Sequence, residues 1–98
     1  MVALAQPRRP LFPLGQLVAT PGALEALERS GERPASFVSR HVSGDWGVVD
    51  ADDWKLNDQA VAEGTRILSA YKTKLDERIW IITEADRSAT TLLLPEEY

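Results

Sequence analysis

After Gly64 the hydropathy period of the chain changes, and that change decides which architectures are open to it. In "TRILSAYK" (65–72) Ile67, Ser69 and Tyr71 alternate with Arg66, Leu68 and Ala70, and "RIWIIT" (78–83) is β-branched and aromatic throughout. A period of two sends alternate side chains to opposite faces of a sheet, so both stretches read as strands. "TKLDE" between them has the length of a hairpin loop. Past the charged turn "EADR" (84–87), "SATTLLL" (88–94) reads as a third strand, stopped by Pro95. The C-terminal half is therefore expected to be a three-stranded meander.

Before Gly64 the punctuation is helical. Thr20-Pro21 supplies an N-cap and a proline at the first helical position, and Ser30-Gly31 supplies the stop, which gives a helix over 21–30 with Ala23, Leu24 and Leu27 inward. Pro34 opens a second helix in which Phe37, Val38 and Val42 share a face with His41, and Gly44 caps its end. Asp50 caps a third helix ending at Gly64, with Trp54, Asn57, Ala60 and Val61 on one side. Asn57 is polar on an apolar stripe, so its burial requires hydrogen bonds. "GQLVAT" (15–20) can add a fourth strand. With Pro7, Pro10, Pro13 and an arginine pair, residues 1–13 read as a flexible N-terminal tail. The expected fold is a single α+β domain over 14–98. Its antiparallel sheet has three to four strands, with about three short helices packed on one face.

Composition narrows the function classes. The 98 residues are 44% apolar and 27% charged, the balance of a folded, soluble domain, and a cytoplasmic setting is expected. A net charge of −4 supplies no global positive field for phosphate backbones, so nucleic-acid binding is disfavoured. Cysteine is absent and histidine occurs once, which removes disulfides, thiolate nucleophiles and Cys/His metal sites. No nucleotide-binding glycine motif, HExxH or calcium-loop spacing occurs, so no cofactor or metal is expected. The longest apolar run, "LLL" at 92–94, is far short of a membrane span of roughly 20 residues.

Three constellations remain as candidate chemistry. His41, with Asp45 and the turn residues Glu84, Asp86 and Arg87, contains the parts of a small nuclease: an acid/base, a carboxylate and an anion-binding guanidinium. The same histidine in a last helical turn also gains from the helix dipole as structure alone. "GDWG" (44–47) can turn sharply and either bury Trp46 or set it at a pocket mouth. In "ITEADRSATT" (82–91) seven of ten side chains can hydrogen-bond. As a plain turn, Asp86 would hold the backbone of Ser88 with Arg87 solvated; against that, Glu84, Arg87, Ser88, Thr90 and Thr91 are more polar groups than a hairpin needs, and loop residues often carry function. A nucleophilic Ser88 would have only His41 as base, which argues against a serine hydrolase. Catalytic candidates are thus His41, Glu84 and Arg87, and binding candidates Asp45, Trp46, Glu84, Asp86, Arg87 and Ser88. The acids Asp45, Asp50, Asp52, Asp53, Asp58 and Glu63 form a solvated face or a mimic of a phosphate backbone. Binding of nucleic acid would need Arg40, Arg66, Lys72, Lys74, Arg78 and Arg87 to gather into one patch.

The blocks "LGQLVATPGALEAL", "RHVSGDWG", "RILSAY" and "IWIITEADRSATTLLLPEEY" resemble a family of small bacterial proteins carried on plasmids and integrated mobile elements. The resemblance covers about residues 14–98. Some members bear the label of a type I restriction endonuclease modification subunit, an activity that needs a Rossmann-like cofactor domain and an Asn-Pro-Pro-aromatic motif, and the 98 residues contain neither. What the resemblance implies is an accessory role in a mobile element, near defence systems. With the acidic balance and incomplete catalytic set, it predicts a non-enzymatic protein that binds a protein partner, a restriction or other defence component. The alternative is a nuclease-like or toxin-like enzyme using His41. An exposed edge strand could also pair two copies into a homodimer.

Overall fold

The computed structural model describes residues 10–98. Its elements are β1 (Gln16–Ala19), α1 (Pro21–Ser30), α2 (Pro34–Val42), α3 (Ala51–Glu63), β2 (Ile67–Lys72), β3 (Arg78–Thr83) and β4 (Ala89–Leu93), followed by one 3₁₀ turn at Pro95–Glu97. The fold is α+β. The helix starts follow the capping chemistry of the sequence: Thr20 Oγ1 accepts from the Ala23 N–H at 3.1 Å, and Asp50 Oδ1 from the Asp53 N–H at 2.8 Å.

The sheet order is β1-β4-β3-β2. The meander β2-β3-β4 is antiparallel, as its alternation predicts. β1 joins beyond β4 and runs parallel to it, pairing Gln16 with Ala89 and Ala19 with Leu92, so the four-stranded sheet is mixed and not wholly antiparallel. The three helices between β1 and β2 provide the long connection that lets the first strand reach the far edge in that direction.

One sheet face is covered by α1 and α2. Ala23, Ala26 and Leu27 of α1 and Phe37 and Val38 of α2 are buried against Tyr71, Ile79, Ile81 and Leu92. Leu24, expected inside, is 47% exposed, and Ala26 takes its place. The stripe thus runs at i, i+3, i+4, which keeps α1 flat on the sheet. A second cluster of Phe12, Trp46, Ala60 and Ile67 fills the space between α2, α3 and the start of β2. Phe12 corrects the boundary of the expected tail. Although flanked by Pro10 and Pro13, it is 4% exposed, and the Leu11 N–H donates to the Val42 carbonyl at 2.9 Å. Prolines forbid helix there but leave an extended chain free to bury one aromatic. The rest of the expected tail, residues 1–9, lies outside the described residues.

The two sheet edges are treated differently. At β2 the outward Leu68 N–H and carbonyl bond to the Asn57 side-chain amide at 3.2 and 2.7 Å. The Ala70 N–H donates to the Trp46 carbonyl, and the Ala70 carbonyl accepts from the Val48 N–H. Asn57 is 6% exposed and has the partners its burial requires. Gly47 makes this approach feasible: a Cβ there would lie 1.9 Å from the Ala70 carbonyl oxygen, and its φ is +78°. At the other edge β1 is largely exposed, with Leu17 and Val18 on its surface.

Candidate functional site

His41 occupies the last turn of α2, and the spacing that aligns Phe37 and Val38 with the core brings the imidazole inward as well. It has no exposed surface. Nδ1 lies 2.5 Å from Ser69 Oγ and Nε2 lies 2.9 Å from Thr83 Oγ1, while Thr83 Oγ1 lies 2.8 Å from Thr90 Oγ1. Thr90 Oγ1 in turn donates to the Leu14 carbonyl at 2.8 Å. That carbonyl orders the donors back as far as Nε2, and the neutral imidazole that burial favours sets the rest. Thr90 spends its hydrogen on Leu14, so Thr83 donates to Thr90, and His41 Nε2–H donates to Thr83. Ser69 then donates to Nδ1. The imidazole is neutral, and burial lowers its pKa from 6.5 to about 4. The expected gain of a charged histidine from the helix dipole does not apply.

Phe12 meets the His41 ring edge-on at 5.3 Å, and Trp46 does so at 5.8 Å. Trp46 has no exposed surface, and its indole N–H donates to Asp58 Oδ1 at 2.9 Å, so it is a core residue and stands at no pocket mouth. Asp45 pairs with Arg40 at 2.7 Å and also accepts the Gly47 N–H, shaping the turn into α3. The main chain at Asp45 accepts the Tyr71 hydroxyl at 2.7 Å.

In the turn between β3 and β4, Asp86 Oδ1 accepts the Ser88 N–H at 3.0 Å, as its position predicts, and hydrogen bonds from Ser88 hold its carboxyl below the usual range. Arg87 is half-buried, with its guanidinium engaged by main-chain carbonyls. From a left-handed backbone (φ 60°) its guanidinium donates to the carbonyls of Thr65 at 2.6 Å and Ala60 at 2.8 Å, and it lies 5.5 Å from the Phe12 ring centroid. It ties the C-terminal end of α3 to the sheet, where carbonyls and the helix dipole favour a cation. Glu84 is exposed, 3.8 Å from Arg66, and Ser88 is exposed beyond it.

The candidates therefore occupy separate settings. His41 is sealed in the core, Asp45 pairs at the α2 corner, and Phe12 stands against both His41 and the inward-turned Arg87. An acid or base must reach the proton it moves, and both His41 nitrogens are engaged by hydroxyls away from solvent. The acids are also divided: Asp45 pairs with Arg40, Asp50 caps α3 and Asp58 holds Trp46. The cations are divided likewise, Arg40 to Asp45, Lys72 to Asp76 and Arg87 inward. Among the described residues no cluster of three or more His, Asp or Glu is placed to hold a metal, and no helix is long and apolar enough to cross a membrane.

The other sheet face is partly covered: Ala70, Ile82 and Leu93 are buried on it, while Leu68, Trp80 and Thr91 are half-buried. Its register aligns Leu68 with Ile82 and Thr91, and Ala70 with Trp80 and Leu93. This face is bordered by α3 along β2 and by the 3₁₀ turn along β3. Tyr98 meets the half-buried Trp80 edge-on at 5.7 Å, and Arg66 stacks 5.0 Å from the Tyr98 ring and donates to its hydroxyl at 2.5 Å. Leu56 and Val48 stand exposed at the rim. Sequence reasoning missed this group, although the alternation of Ile79, Trp80 and Ile81 already sends Trp80 to the face opposite the two isoleucines. Compared with known proteins, the chain matches no family model, no curated sequence and no solved structure.

Proposed function

We propose that this chain is a non-enzymatic protein-binding module whose contact surface is the sheet face opposite α1 and α2. Its role is that of the accessory protein of a bacterial mobile element that its sequence resemblance implies, acting on a restriction or other defence component. The observation that carries this reading is the Arg66–Tyr98–Trp80 stack on that face, with Leu68 beside it and Leu56 at its rim. Trp, Tyr and Arg are the residue types that carry most of the energy at protein interfaces. The net charge of −4 favours a protein over a phosphate backbone as the partner. The alternative enzyme reading lacks this support, since His41 has no surface to offer a substrate.

The test is affinity purification from the native host with tagged wild type and a Trp80→Ala variant of matched unfolding midpoint. A protein retained by wild type and lost from the variant is the expected result. No recovered partner, or the same partners with both, would overturn the reading.

A further inference from the structure

Two clefts on this face, each about 290 Å³, share Leu68 and Asp53 and so form one groove. Its floor is apolar, made by Leu68 and Ala70 of β2. One wall rises through Val48 and Asp53, at the entry to α3, and the other through Trp80 and Arg78 of β3. The walls carry opposite charge. Asp53 and Arg78 are both exposed, and neither enters an ion pair among the described residues, whereas Lys72 and Arg66 nearby do. Two opposite charges held apart across an apolar floor are each left to water, and a ligand carrying both signs around an apolar centre satisfies all three surfaces together. Main-chain pairing is closed here, because Asn57, Trp46 and Val48 already occupy the β2 edge at Leu68 and Ala70. Recognition must run through side chains.

We infer that the groove takes an extended polypeptide segment. The segment sets an apolar side chain on Leu68 and Trp80, between a basic residue facing Asp53 and an acidic residue facing Arg78. This rests on the protein-binding reading of the face and specifies what the partner presents. A nucleic acid fits worse, since Asp50 and Asp53 stand among Arg66 and Arg78 in the groove and break any continuous basic track for a phosphate backbone.

A random-peptide display library panned on the wild-type chain, with counter-selection on Trp80→Ala, supplies the probes. Recovered peptides are resynthesised and titrated against Asp53→Asn, Asp53→Lys, Arg78→Glu and an Asp53→Lys/Arg78→Glu double variant, with a single-stranded oligonucleotide as control. The expected motif is an apolar residue between opposite charges, weakened about tenfold by each charge reversal and restored in the double variant by peptides with the two charges exchanged. Peptides that need Trp80 but ignore Asp53 and Arg78, or an oligonucleotide binding as tightly, would overturn the inference and leave the reading of the face to its own test. Peptides indifferent to Trp80→Ala, or no enrichment at all, would overturn both.

Discussion

His41 illustrates how a residue type associated with chemistry can be consumed by structure. In the folded chain its pKa lies near 4, below the 6.5 of an exposed imidazole, so between those values the unfolded state binds the extra proton. The stabilisation is therefore complete above pH 6.5 and is lost as pH falls toward 4. From pH 7 to pH 5 the loss should be about 2 kcal/mol. As the chain has one histidine, urea unfolding across that window reads it almost alone. A His41→Gln variant, which retains a donor and an acceptor, should be less stable at pH 7 and should lack that slope. Equal slopes in both proteins would refute the neutral, buried assignment. The helical spacing of Phe37, Val38 and His41 made the burial legible, but the hydroxyls that receive the imidazole come from β2, β3 and β4. Only the strand register brings Ser69, Thr83 and Thr90 to one place.

At the scale of elements, the helices and the meander were legible because their boundaries are written in local chemistry: Thr20-Pro21, Asp50, Gly31, Gly64 and Pro95. The direction of β1 was not, since pairing through a long connection leaves no local mark in four residues. The part played by Asn57 was half legible. A polar residue on an apolar stripe demanded partners, and the structure supplies them from a strand edge. Asn57→Ala should cost about 2–4 kcal/mol in urea unfolding, because two backbone groups of Leu68 lose their partner in a half-buried setting. Asn57→Leu, which fills the space, should recover little of it. A loss below about 0.5 kcal/mol in both would show that water replaces the amide.

Across the whole molecule, the segment at 10–14 closes the space between the helices and the sheet: Phe12 enters the aromatic cluster, and the Leu14 carbonyl ends the hydroxyl chain. Proline spacing concealed this, because it reports backbone conformation and not where one aromatic side chain lands. Phe12→Ala should cost about 3 kcal/mol. It should also admit water beside His41, so that the imidazole pKa, followed by NMR, rises from about 4 toward 6.5. A large loss of stability with an unmoved pKa would separate the two effects and refute the coupling.

The unequal edges of the sheet carry one more consequence. A chain with two open edges is a bivalent monomer, able to polymerise strand upon strand without limit. Among the described residues, the side-chain amide of Asn57 and the bridge at Gly47 occupy the β2 edge at Leu68 and Ala70, which leaves β1 as the more open of the two edges. Strand-to-strand association through β1 would therefore meet a partly blocked edge at β2, which disfavours growth of a pair into a fibre.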